Sequence, residues 1–414
     1  MTDVHELRCP LCGRSYRPRD VRYTCPACGE VGTLDVLYDY DTLRRRLDRR
    51  RLAHLPDTGL WRYSALLPIA SNAALPPLRV GWTPLYDAPR LAADLGIGRA
   101  WVKDEGQNPT GSLKDRASAL IVARAQAEGF PIVSAASTGN AAAALAGLAA
   151  SVGQQIIIFV PASAPEAKIA QLLVYGARVL LIEGSYDQAF DLCLSLSVEQ
   201  GWYCRNTGVN PYTAEGKKTA ALEIAEQLGW RVPDVVVVSV GDGNIIGGVH
   251  KGFADLHRLG WIERIPRLIG VQAAGSSALV DAWQRGLSAA EMLPMPADTV
   301  ADSISAALPR DRLKALRAVR ETEGAFVAVP DADIIAAIPR LARLTGVFAE
   351  PAAAAVYAGT RLAVQSEMIR PGESALLLVT GSGLKDVRRA QEAVGRAARA
   401  QPDPAAVRQV LNSV

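Results

Sequence analysis

The sequence has little of what marks the specialised classes of protein. Charge of one sign is lacking: 45 Lys and Arg stand against 42 Asp and Glu, a net +3 over 414 residues. A dedicated nucleic-acid binder usually carries a strongly basic domain, so no nucleic-acid partner is expected. Long apolar runs are lacking too. The longest, 141–152, falls short of the roughly 20 residues of a membrane span, and no membrane association is expected. The chain opens Met-Thr-Asp-Val-His-Glu, neither basic nor apolar, so a signal peptide is not expected and a cytoplasmic location is. Internal repeats and long low-complexity tracts are missing. With 49% hydrophobic and 21% charged residues, the chain is neither disordered nor fibrous. At about 100–200 residues per domain, its length suggests two or three domains.

Cysteine is also scarce, and its placement says more than its number. Of six, four lie in the first 28 residues as Cys9-Pro-Leu-Cys12-Gly and Cys25-Pro-Ala-Cys28-Gly, twelve residues apart. Two such knuckles suit a tetrahedral structural metal site, zinc first and iron the competitor. Disulfides are the poorer alternative in a reducing compartment. Gly13 and Gly29 permit the left-handed turn that wraps backbone N–H groups around sulfur. Such a ribbon is expected to be structural and remote from any chemistry. Cys193 and Cys204 read as small buried hydrophobes.

Leucines and arginines over 43–52 predict a short surface helix, with its arginines on a solvated face or at a subunit contact. Asp48 interrupts the basic run and no aromatics interleave, which argues against nucleic acid. Prolines 56, 68, 76, 77 and 84 then punctuate an irregular arm. From about residue 100 the rhythm changes. Apolar, β-branched runs at 100–103, 132–136, 155–161, 178–183, 235–240, 268–272, 326–329 and 375–379 alternate with alanine-rich helical stretches. Runs without strict alternation are strands buried on both faces, and strands alternating with helices imply parallel βαβ units. The body is therefore α/β, with strands enough for two sheets.

Ligands of open parallel sheets bind where loops leave the carboxyl ends of strands. After the first run, Asn108-Pro-Thr-Gly-Ser-Leu-Lys-Asp-Arg116 delivers Lys114 to the first turn of a helix. There the helix dipole favours a neutral amine, the form needed for Schiff-base chemistry; a plain surface lysine is the competing reading. Ser137-Thr-Gly-Asn140 opens the next helix and offers a carboxylate its free N–H groups, although a capped turn would look the same. Gly241-Asp-Gly-Asn-Ile-Ile-Gly-Gly248 reads as a phosphate cradle. Its third glycine falls one residue late for a dinucleotide fingerprint, which disfavours a nicotinamide oxidoreductase, and Gly216-Lys-Lys-Thr219 is not a P-loop because residue 211 is proline. Thr380-Gly-Ser-Gly383 puts a hydroxyl at the end of the last strand. An aldehyde-binding lysine, a ring-oxygen ligand, a phosphate cradle and a ring-nitrogen ligand are what pyridoxal phosphate requires.

These segments resemble the threonine synthases: the lysine motif 108–116, the asparagine loop 137–140, Glu350-Pro-Ala352, and Thr380-Gly-Ser-Gly-Leu-Lys-Asp386. The resemblance runs from about 81 to 386. It implies the fold-type II (tryptophan synthase β-like) pyridoxal phosphate architecture, two parallel-sheet α/β domains with the cofactor between them, and an N-terminal zinc ribbon. It divides the chain into a ribbon at 1–35, an arm at 36–80, a large domain at 81–118 and 211–395, a smaller domain at 119–210, and a tail at 396–414. It implies that Lys114 carries the cofactor and then moves protons. Asn140 bonds the ring hydroxyl; Gly241, Gly243, Asn244 and Ile245 hold the phosphate; Thr380 bonds the ring nitrogen. Ser137, Thr138 and Gly139 take the substrate carboxylate. Asp242 belongs to the cradle, yet its carboxylate must turn away from the anion. Zinc on Cys9, Cys12, Cys25 and Cys28, an amino-acid substrate and a homodimer complete the expectation.

The departures bear on substrate. Threonine synthases commonly read Asn-Ser-Val-Asn-Pro-x-Arg where the substrate phosphate binds. Here Thr207, Gly208 and Thr213 replace the Asn, Ser and Arg; Ala141 follows Asn140, and Ser382 stands where His or Asn is frequent. Lys168, Arg178, Arg205 and Lys217 are the cations that could substitute. The expected reaction is conversion of O-phosphohomoserine to threonine. The alternative is a threonine/serine ammonia-lyase or a β-replacement synthase acting on a non-phosphorylated amino acid.

Overall fold

A computed structural model describes residues 4–52, 54–70, 73–137, 139–164 and 166–413. Thirteen strands among them form three sheets. Strands β1 (Val4–Arg8), β2 (Ser15–Tyr16) and β3 (Asp35–Tyr38) make a small antiparallel sheet beside the four cysteines. Strands β4 (Leu85–Asp87) and β5 (Arg99–Asp104) follow, then β6 (Ile132–Ala136), β7 (Gln155–Pro161), β8 (Arg178–Ile182) and β9 (Tyr203–Cys204). The last are β10 (Val235–Ser239), β11 (Arg267–Ala273), β12 (Ala325–Val329) and β13 (Ser374–Val379). All eight apolar runs of the sequence are strands. Burial is complete along β10 and nearly so along most of the others, which reflects helices on both faces, whereas the outer strand β8 is largely exposed.

The six-stranded sheet has the order β12-β11-β10-β13-β5-β4, parallel except for the edge strand β4. The four-stranded sheet, β8-β7-β6-β9, is parallel throughout. β4, β9 and the first three strands leave no clear mark in the sequence, being two to five residues long and lying among prolines or polar residues. The order explains where the chemistry collects. β10, β13 and β5 are neighbours and run the same way, so the loops after them converge at one end of the sheet. These are the cradle, the Thr380 loop and the Lys114 loop. They are knit together: Leu113 N–H donates to the Thr380 carbonyl at 2.9 Å, and Ser382 N–H to that of Gly111 at 3.0 Å. The loop after β6, which carries Asn140, reaches them from the four-stranded sheet.

One expectation needs correction. The surface helix over 43–52 is broken. Helices Tyr40–Arg46 and Arg49–Leu52 flank Leu47, whose backbone is extended. The break lets Arg44 and Arg49 donate to the carbonyls of Arg258 and Trp261, at 2.6 and 2.5 Å, at the end of helix Asn244–Arg258. The arginines thus complement unpaired helix-end carbonyls. The cysteine unit, expected to be structural and remote from the chemistry, joins the two larger sheets. Tyr23, between the knuckles, accepts from Cys204 N–H at 2.8 Å in β9. On the other side Lys314 donates to the Leu34 carbonyl at 2.7 Å, and Arg317 makes a two-pronged pair with Asp35 at 2.6 and 2.9 Å. Short polar strands without a large core are held by such contacts and by what the cysteines bind. Cys193 and Cys204 are fully buried, as expected. Among the described residues no helix is long and apolar enough to cross a membrane.

Candidate active site

The four loops surround one cleft of about 1250 Å³ between the two larger sheets. Lys114 lines it from the first position of helix Lys114–Ala127. Ser137, Gly139 and Asn140 line it from the four-stranded sheet, and residues 241–245 and Thr380 from the six-stranded one. The structure therefore brings together the expected residues, except Thr138, which lies outside the described residues. Cys9, Cys12, Cys25 and Cys28 form a separate cluster. Their sulfurs lie within 4.8 Å of one another, and all are free thiols. Gly13 and Gly29 take φ of +74° and +62°, and their N–H groups donate to the Cys9 and Cys25 carbonyls. This is the knuckle turn that only a glycine adopts without strain.

Burial pushes the Lys114 amine down to about 8, with Arg205 and Lys385 acting in the same direction and Glu350 and Asp242 opposing them. An ordinary lysine near 10.5 is protonated at neutral pH; this one has a usable neutral fraction. Glu350 is buried, and burial raises its carboxyl. It accepts from Asn140 Nδ2 at 2.7 Å. From sequence alone the Glu350-Pro-Ala352 segment carries a resemblance but no assigned role. In the structure that carboxylate orients the Asn140 amide.

The cradle meets the demand of an anion at two points. Gly243 has φ +91°, and a Cβ there would come within 2.7 Å of the Ala315 side chain and 2.9 Å of the Asp311 carbonyl. Backbone N–H groups at the start of the 15-residue helix Asn244–Arg258 are thereby exposed to the cleft. Asp242 resolves its own conflict: its carboxylate accepts from Arg310 N–H at 3.2 Å. The Asn244 side chain is held by Asp311 and Lys217, both at 2.5 Å, which leaves its backbone N–H as the anion ligand. These residues fit pyridoxal phosphate, with a low-pKa lysine, an amide and a hydroxyl lining the cleft, and a backbone cradle in which the Asp242 carboxylate is engaged by Arg310 N–H.

The remaining residues of the lysine motif face inward. Arg116 is fully buried between Glu105 and Glu223, each at 2.6 Å, and Lys103 pairs with Glu223 at 2.9 Å. Asn108 donates to Glu105 at 2.8 Å, and its Oδ1 accepts from Gly81 N–H at 2.9 Å. Asp115 accepts from both the backbone and the hydroxyl of Thr110, at 2.7 and 2.5 Å. Burial alone would raise Glu223, but Arg116 and Lys103 hold its carboxyl down to about 2. Sequence reading missed this network because its members lie up to 120 residues apart.

The family described as "Pyridoxal-phosphate dependent enzyme" matches residues 77–381. The threonine synthase of Methanocaldococcus jannaschii is 38% identical over 381 residues, 92% of each chain. That of Methanosarcina acetivorans is 39% identical over 384 residues, 92% of this chain and 93% of its own. Among solved structures, the processed form of threonine deaminase isoform 2 from Solanum lycopersicum matches with TM-score 0.62 at 23% identity, over 76% of this chain and 88% of its own. Maize serine racemase matches with TM-score 0.64 at 21% identity, over 75% and 91%. At those identities the likeness is one of fold.

Proposed function

The chain belongs to the pyridoxal-phosphate-dependent enzymes, and to the threonine synthases among them; from that premise we propose that it converts O-phosphohomoserine and water to threonine and inorganic phosphate. The observation that carries this is the convergence of Lys114, Asn140, the 241–245 cradle and Thr380 on one cleft, in a chain alike over 92% of its length to proteins that carry that name.

The bound cofactor supplies an electron sink for negative charge at the substrate Cα. Lys114 holds the cofactor and, once released, its amine takes the Cα proton, a task suited by a pKa near 8. Asn140, fixed by Glu350, positions the ring hydroxyl. The N–H groups of 241–245 hold the cofactor phosphate, and Thr380 meets the ring nitrogen with a neutral hydroxyl. Ser137, Thr138 and Gly139 receive the substrate carboxylate. For the atoms to balance, a Cβ proton is also removed as the Cγ–O bond breaks and phosphate leaves; a proton added to Cγ makes the methyl group, the oxygen of water adds at Cβ, and a proton returns to Cα.

The four clustered cysteines support a structural zinc site. The division at 119–210 is supported by β6–β9, which fall inside it. A homodimer and cytoplasmic residence belong to the same reading and rest on the resemblance. The competing reading, a lyase or β-replacement enzyme for a non-phosphorylated amino acid, is favoured by the altered residues Thr207, Gly208 and Thr213. Separate incubations with O-phosphohomoserine and with threonine decide: threonine and phosphate in equal amounts from the first support the synthase, and 2-oxobutanoate with ammonia from the second, with no turnover of the first, support the lyase.

A further inference from the structure

A synthase of this kind must bind a phosphomonoester dianion, and this chain lacks the motif residues that would do so. The structure shows why two of the three replacements cannot. Thr213 is fully buried and its hydroxyl donates to the Asn210 carbonyl at 2.8 Å. Gly208 has φ +77°, and a Cβ there would approach the Arg310 backbone to 2.7 Å, so a serine has no room. Of the four substitute cations, Arg178 is exposed at the start of the outer strand β8. Lys168 is paired with Asp302 and partly exposed.

Arg205 and Lys217 differ. Both line the cleft with Lys114, and they are 2% and 1% exposed. Arg205 donates to Thr207 Oγ1 at 3.0 Å and to Ser118 Oγ at 3.4 Å, while its Nη2 is buried with no hydrogen-bond partner. Lys217 donates to Asn244 Oδ1, a neutral group. Among the described residues neither is in a salt bridge. Arg205 is lowered to about 10 by burial, and Lys217 is lowered by burial and by the neighbouring charges of Arg205 and Lys114. Contrast Arg116, equally buried but flanked by two carboxylates. Asp242 acts on both cations and Asp311 on Lys217, but neither carboxylate forms an ion pair with them; buried cations without a bonded counter-charge are costly, and an anion entering the cleft would complete them.

We propose that the Arg205 guanidinium, with the Thr207 hydroxyl it holds and the Lys217 ammonium, forms the binding site for the substrate's phosphate, in place of the arginine missing at 213. A planar guanidinium suits such an anion, since two N–H groups can face two oxygens. Arg205 here is a binding and positioning residue. The proposal rests on the reading of a phosphorylated substrate given above.

The test uses the holoenzyme with Arg205→Met, Arg205→Lys, Lys217→Met and Thr207→Val. Three quantities are read: KM for O-phosphohomoserine, the inhibition or calorimetric binding constant for inorganic phosphate, and cofactor content. Arg205→Met is expected to weaken both phosphate constants together by roughly 10- to 100-fold, as loss of charge-assisted hydrogen bonds implies, with cofactor content unchanged. Arg205→Lys should fall between. If Arg205→Met does not fold, Thr207→Val must shift both constants in the same direction. Unchanged phosphate binding in the folded variants would overturn the proposal. So would loss of cofactor in step with loss of phosphate, since the anion would then be the cofactor's. A wild-type enzyme inactive on O-phosphohomoserine would refute the functional reading, and inorganic phosphate binding would still decide this site.

Discussion

Segments 105–116 and 205–219 are both buried and polar, and both line or support the cleft, yet they dispose of their charges in opposite ways. In the first, Glu105, Asn108, Asp115 and Arg116 are consumed by partners inside the protein, and Lys114 alone is left for chemistry. In the second, Lys218 is neutralised by Glu215 and Asp255, while Arg205 and Lys217 have no ion-pair partner among the described residues. A satisfied network fixes the spacing of a motif, because each member must meet a particular neighbour. Unsatisfied groups carry no such constraint on the sequence, and their meaning shows only when the cleft is assembled.

The comparison breaks most sharply at Lys114. Lys114→Ala should abolish visible cofactor absorption and borohydride-stable attachment while leaving the melting transition in place. A surviving, reducible linkage at another lysine would mean that the first segment does not carry the cofactor.

The next effect should be on stability. Arg116→Met strands Glu105 and Glu223 in the interior, and breaking a buried pair in this way costs about 3–5 kcal/mol, measurable by urea unfolding. The pH dependence has a definite sign. Glu223 is held at about 2, below its ordinary 4.5, so its contribution is complete above about 4.5 and is lost as pH falls towards 2. The Arg116→Met variant should show a flatter acid limb than the parent.

Serine at all four N-terminal cysteines, or removal of metal by a chelator, should loosen the contacts of Tyr23 with β9 and of Asp35 with Arg317. About one zinc per chain is expected, the stoichiometry of a Cys₄ site. The melting temperature should fall by several degrees, as a loss of roughly 1–2 kcal/mol implies for a large chain. An unchanged melting curve would contradict the structural role expected of the unit.

The smallest effect sharpens the electrostatics of the cleft. Cofactor capture by the apoenzyme needs the neutral amine, so its rate should rise with pH through a midpoint at about 8. A midpoint near the ordinary 10.5 would mean that the cleft does not depress Lys114. The Arg205→Met variant removes a nearby positive charge and should move the midpoint upward.

Much of the fold was legible because strands buried on both faces, such as Val235–Ser239, write themselves as unbroken apolar runs. The short strands β4 and β9 were not, since edge position and neighbouring contacts, rather than composition, make them strands. The cofactor residues were legible because each sits on a loop just after a strand, with the glycines that close backbone approach demands. Glu350 had a motif but no role until its 2.7 Å contact with Asn140 was seen. Arg205 and Lys217 were two of four candidate cations; burial, and a guanidinium nitrogen without a partner, separate them from Lys168 and Arg178. The place of the cysteine unit between two sheets had no signal at all, because Tyr23 and Cys204 are 181 residues apart.

The most direct measurement is kcat/KM for O-phosphohomoserine against threonine, serine and O-acetylserine on the same holoenzyme preparation. A threonine synthase with a rebuilt phosphate site turns over O-phosphohomoserine with clear preference and is inhibited competitively by inorganic phosphate. Preference for threonine or serine, with no inhibition by phosphate, would contradict it.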